Sequence, residues 1–115
     1  MSFVLDLLDH LGRRVTLAES TWFQKILTKH PRVANFGTVE IPRAVSTPDF
    51  VNLDKEYMER ACHYLVLEAN SRGQHRFLKV VIEYNGSTTS GKVEGKVISI
   101  YIASRVPSSE VRIWP

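Results

Sequence analysis

The sequence predicts an α+β fold, with N-terminal helices packed on one face of an antiparallel sheet of about four or five strands. Three observations carry this. Residues 76–84 and 94–105 alternate in polarity at the two-residue period of half-buried strands. Trp22, Ile26 and His30 recur at spacing four, as do Phe23 and Leu27, which is the period of an amphipathic helix. The helical pattern also precedes most of the strands instead of alternating with them.

Residues 3–8 and 13–17 are short apolar segments flanking Asp9-His-Leu-Gly12, read as a hairpin or a strand and turn. Glu19-Ser20-Thr21 offers N-cap candidates for the helix that follows. Pro31 disfavours helical backbone at His30, so the helix stops there and leaves the histidine at its C-terminus. Pro31, Pro42, Pro48 and Gly37 interrupt the next stretch, while Val33, Phe36, Val39 and Ile41 suggest a short second helix. Pro48-Asp49 reads as a turn into a short strand at Phe50-Val51. Residues 55–69 fit a helix through Tyr57, Ala61, Tyr64 and Leu65, or a buried strand through Cys62–Leu67; a strand over 61–69 is the preferred reading.

In the next strand Leu78, Val80, Ile82 and Tyr84 share one face; Phe77, Lys79, Val81 and Glu83 share the other. A polar loop follows at 85–91. Beyond it, Ile98, Ile100 and Ile102 are expected to face the helices. Val97, Ser99, Tyr101, Ala103 and Arg105 are expected on the opposite face, free for a ligand. A turn at Pro107-Ser-Ser leads to a last segment, 111–114.

With 115 residues the chain is read as a single domain, residues 1–115. Hydrophobic residues make up 43% and charged residues 23%, the usage of a folded globule rather than a disordered chain. No apolar run approaches the roughly 20 residues of a membrane helix. The opening Met1-Ser-Phe-Val-Leu-Asp lacks the basic start of a signal peptide, so a cytoplasmic location is expected. The net charge of +3 and isoelectric point near 9.2 permit contact with RNA without requiring it. Cys62 is the single cysteine, which excludes an internal disulfide and a multi-cysteine zinc site; it reads as a buried structural thiol. The histidines and acids show no metal-ligand spacing and no Gly-rich phosphate loop is present, so neither a metal nor another cofactor is expected.

An ordered set of short motifs runs along most of the chain: Trp22, Ile26, His30-Pro31, Pro48-Asp49, Val80-Val81, Ser99-Ile-Tyr101 and Trp114. In this order they resemble the phage-associated branch of the Barnase–EndoU–colicin–RelE (BECR) nuclease superfamily. The resemblance implies a small helix-plus-antiparallel-sheet fold and a metal-independent endoribonuclease of toxin or phage-defence type, cleaving RNA by attack of a 2′-hydroxyl. It also implies RNA, tRNA among the options, and an immunity or antitoxin protein as partners. The chain departs from the pattern at two places. Lys25 stands where a histidine often precedes the helix isoleucine, and the strand Thr-Ala is Ser99-Ile100. Such a departure fits shifted catalytic groups, or a member that binds RNA or a protein without cutting.

Metal-free RNA cleavage needs a base for the 2′-hydroxyl, an acid for the leaving oxygen and cations for the phosphorane. His30 is the candidate for one proton role, or a histidine stabilised by the helix dipole. Lys25 and Lys29, four apart, suit phosphate contacts or a solvated face. Ser99 and Tyr101 lie about 7 Å apart on one strand face and suit hydrogen bonding and base stacking, or a plain polar sheet face. The catalytic set is thus His30, Lys25, Ser99 and Tyr101, with Lys29, Arg60, His63 and Arg105 as RNA contacts. His63 has the alternative of a hydrogen-bonded sheet histidine. His10 and His75 are expected to be exposed and idle.

Overall fold

The computed structural model describes residues 2–69, 71–86 and 93–115. Its framework is one sheet of seven strands: β1 Phe3–Leu8, β2 Arg14–Ala18, β3 Phe50–Leu53, β4 Arg60–Leu67, β5 Arg76–Gly86, β6 Val93–Ala103 and β7 Val111–Trp114. The order across the sheet is β1-β2-β6-β5-β4-β3-β7. Neighbours are antiparallel except β2 and β6, which run parallel through Val15↔Gly95 and Thr16↔Lys96. This corrects the expectation of helices on a four- or five-strand antiparallel sheet. The sheet is mixed and dominates the molecule, and the helical content is a few short turns.

Physical causes for both differences are visible. Thr21–Ile26 winds as a π-helix into the brief α-helix α1, Leu27–Lys29, which ends where Pro31 forces His30 out of helical backbone (φ −135°, ψ 65°). Pro31 then opens a 3₁₀ helix over Pro31–Phe36, and α2, Glu40–Ser46, follows. β3 and β7, four residues each, are too short to display a period, yet each finds a partner through the long β4 or through the other.

The β1–β2 hairpin is built by Asp9, whose Oδ1 accepts from the backbone N–H groups of Leu11 and Arg13 at 2.9 and 2.8 Å. Gly12 closes the turn at φ +79°. Where β6 meets β2, Gly95 is favoured for a different reason. A Cβ there would sit 2.7 Å from Ile82 Cγ2 and 2.8 Å from Tyr84 Cε1.

The larger core lies between the sheet and the helical segments. Trp22, Ile26, Val33, Ile41, Ala44 and Val45 pack there against Val15, Leu17, Leu65, Leu78, Val80, Ile82, Val97 and Ile100. Trp22, Ile26 and Val80 of the motif set therefore serve packing. Asp49 is structural too: its Oδ2 accepts from Val66 N at 2.7 Å, and its N–H donates to the Tyr64 carbonyl at 2.9 Å.

The opposite face is not open, contrary to the reading from alternation. The chain between β6 and β7 crosses it, and Cys62, Tyr64 and Val81 form a second small core with Phe50, Phe77, Ile98, Tyr101 and Val106. A β-bulge opposite Val81 and Ile82 makes Ile98 the extra residue, so Val97 turns into the main core and Ile98 into the second one. The expected grouping of Ile98 with Ile100 and Ile102 fails at that bulge. Cys62 is buried as expected, and burial foremost pushes its thiol up to about 12, which keeps it protonated and inert. Among the described residues no helix is long and apolar enough to cross a membrane.

Candidate nucleic-acid interface at the His30 pocket

His30 is placed by the stop of the helical segment, its N–H donating to the Ile26 carbonyl at 2.7 Å. From there its ring meets that of Tyr101 on β6, with centroids 5.4 Å apart and planes inclined by 32°. Seventy-one positions separate them in the chain, so the fold brings together two of the four residues given catalytic roles from sequence. Beside them opens a cavity of about 350 Å³ lined by Lys29, His30, Pro31, Arg32, Val33, Arg76 and Ile102. Three cations line it and no carboxylate does, and none of the three is in an ion pair among the described residues. Arg76 adds a buried Nε donor without a hydrogen-bond partner among the described residues. An unneutralised set of this kind attracts an anion, and the guanidinium forks suit a phosphate.

Tyr101 is held from its other side. Lys79 places its ammonium 5.4 Å from the Tyr101 ring centroid and the same distance from the Tyr64 ring. Its Nζ donates to Glu110 Oε2 at 2.6 Å, with both side chains 6% exposed. Glu110 Oε1 accepts from Tyr64 Oη at 2.6 Å and from Asn52 Nδ2 at 3.2 Å, and Asn52 Oδ1 accepts from Arg112 Nε at 3.1 Å. Burial disfavours the Lys79 ammonium, but the hydrogen bonds of Glu110, Tyr101 and Tyr64 outweigh it and raise its pKa. This network fastens the 104–110 crossover to the sheet.

The other sequence candidates scatter. Ser99 lies two positions from Tyr101, opposite Val81, and is half-buried. Lys25 and Lys29 are both exposed, and of the two only Lys29 lines the cavity. Arg105 lies on the crossover, lining a separate cavity with Val106, Pro107, Ser108 and Ser109. Arg60 stacks on Tyr57 at 4.1 Å and approaches Glu83 at 4.0 Å. Glu83 is seven positions from Arg76 along β5, about 23 Å at ordinary strand rise, so Arg60 cannot share the His30 pocket.

His63 is the clearest correction. It is fully buried on the helix side of β4, its Nδ1–H donating to the Ala44 carbonyl at 3.0 Å, and no RNA can reach it. Burial, only partly offset by that bond, lowers its pKa to about 4, so the ring is neutral. His10 is not idle either: its ring lies 5.0 Å from that of His63 and 4.8 Å from that of Trp114. Nearby, Tyr84 Oη donates to Asp9 Oδ2 at 2.7 Å, the atom that also accepts from Arg13 Nε at 2.8 Å. Burial works against the Asp9 carboxylate, but the bonds from Tyr84, Arg13 and Leu11 prevail and lower its pKa. These residues tie the first turn to β4, β5 and β7.

Sequence reasoning left out Arg32 and Arg76. The run Lys29-His30-Pro31-Arg32 was a usable signal, whereas Arg76 joins it only through the register of β5. Comparison of the chain with models of protein families, with curated proteins and with solved structures finds no match.

Proposed function

We propose that the protein is a metal-independent endoribonuclease of toxin or phage-defence type, working in the cytoplasm on single-stranded RNA at the His30 pocket. One observation supports this above the others: a histidine, set against Tyr101, lines a cavity with three cations and no carboxylate. Lys29, Arg32 and Arg76 hold the phosphate and stabilise the charge that grows on it. His30 takes the proton of the 2′-hydroxyl as its oxygen attacks phosphorus. The bond to the 5′-oxygen breaks, that oxygen takes a proton from water, and a 2′,3′-cyclic phosphate and a 5′-hydroxyl remain. Tyr101 sets the plane of the imidazole. A tRNA substrate and an immunity or antitoxin partner belong to this reading.

The test is incubation of the protein with total RNA and tRNA in excess EDTA, beside His30→Ala. Cleavage that the variant loses by about a hundredfold or more, the usual worth of a positioned general base, is the expected result. Equal cleavage by both proteins rules His30 out. A second reading, RNA binding without cleavage, is favoured by Lys25 at the place of the resembled histidine and by His30 being the one histidine or carboxyl group lining the cavity. Salt-dependent binding with no cleavage products would establish it.

A further inference from the structure

Arg76 lines two cavities, not one. Beyond it, about 430 Å³ opens between the 3₁₀ helix, α2 and the ends of β4 and β5, and here the lining changes character. Phe36, Leu65 and Leu67 supply an apolar floor, and Glu40 and Glu68 supply two carboxylates, with Arg43 beside them. Val33 in the first cavity and Phe36 in the second stand three residues apart on the same 3₁₀ helix, which aligns them about 6 Å apart. A stacked strand advances about 3.4 Å per nucleotide, so the two cavities are within two nucleotides of one another.

An acid-free cationic cavity suits a phosphate, whereas an aromatic and aliphatic floor with two acceptors suits a base. We infer that the second cavity is a nucleoside subsite of the same RNA site, selecting bases that carry an exocyclic amine over uracil. This rests on the reading of the His30 pocket as a phosphate site. The base lies against Phe36, and its amine donates to Glu40 or Glu68, as cytosine N4 and adenine N6 donate to carboxylates elsewhere. Uracil presents a carbonyl at that position and faces an acceptor with an acceptor. Arg43 meets the next phosphate.

The experiment is fluorescence anisotropy with 2′-O-methyl hexacytidylate and hexauridylate, which have no free 2′-hydroxyl and so are not cut. Hexacytidylate is expected to bind about five-fold tighter or more, the lower end of one good base contact. The double variant Glu40→Ala/Glu68→Ala, checked for fold by circular dichroism, is expected to lose that preference while its affinity for hexauridylate does not weaken. Equal binding of the two oligonucleotides, or a preference that survives the double substitution, overturns the subsite and leaves the phosphate pocket standing. Absence of binding to either oligonucleotide by the unaltered protein overturns both readings.

Discussion

Replacing Glu110 by alanine removes the acceptor on which the second face of the sheet converges. The carboxylate takes hydrogen bonds from Lys79 Nζ, Tyr64 Oη and Asn52 Nδ2 at 2.6, 2.6 and 3.2 Å. With it gone, an ammonium only 6% exposed has no counter-charge, a change that costs about 3–5 kcal/mol where measured. The Tyr64 hydroxyl adds part of the roughly 1–3 kcal/mol of an unsatisfied buried group. Asn52 loses less, since its Oδ1 keeps the bond from Arg112 Nε. Water entering beside the crossover offsets some of this, so about 4 kcal/mol is expected. For a domain of this size that lowers Tm by about 10–20 °C. Lys79→Met keeps the buried stem and leaves the carboxylate with two donors, so it costs about half as much. Urea unfolding of both single variants and the double variant closes the cycle. The double variant is expected to lose at least about 1.5 kcal/mol less than the sum of the singles. A loss below about 1 kcal/mol for Glu110→Ala, or a coupling near zero, would refute the argument.

Two further outcomes follow from buried groups. The neutral His63 is expected to keep its imidazole unprotonated in NMR titration until about pH 4, against 6.5 for the free side chain. The unfolded chain then binds the extra proton first, so stability present above pH 6.5 falls as pH drops toward 4. The loss is about 3 kcal/mol from this residue, and a midpoint near 6.5 would refute it. Gly95→Ala forces a methyl against Ile82 and Tyr84 and is expected to cost about 1–3 kcal/mol in urea unfolding, with an unchanged midpoint as the contrary result.

What could be read from the sequence was local. The Asp9–Gly12 turn, the end of the helical segment before Pro31 and the two faces of β5 all follow from neighbours in the chain, and each stands as expected. Strand order did not follow, because the parallel contact of β2 with β6 rests on two residue pairs that no local pattern marks. Parity failed at one bulge, which transferred Ile98 from one core to the other. The run Ala61-Cys-His-Tyr-Leu65 carries a further signal in its continuous burial. A strand buried at every consecutive position needs cover on both faces, and helices on one face cannot provide it. That cover is the 104–110 crossover, and the same continuity of burial forbids His63 from meeting a ligand.

The crossover also links stability to the site. Glu110 holds Lys79, Lys79 holds Tyr101, and Tyr101 carries His30 on its far side. Each step is a contact of a buried or half-buried group, so the imidazole inherits its setting from a carboxylate that it never touches. Beyond its pairing with β2 through Gly95 and Lys96, β6 has no strand neighbour on that side among the described residues. On that side the Tyr101 ring depends on the second core and on Lys79 for its contacts. The buried ion pair is therefore placed where it can do more than close the second core: it fixes Tyr101, and through it the direction in which His30 faces the cations of the pocket.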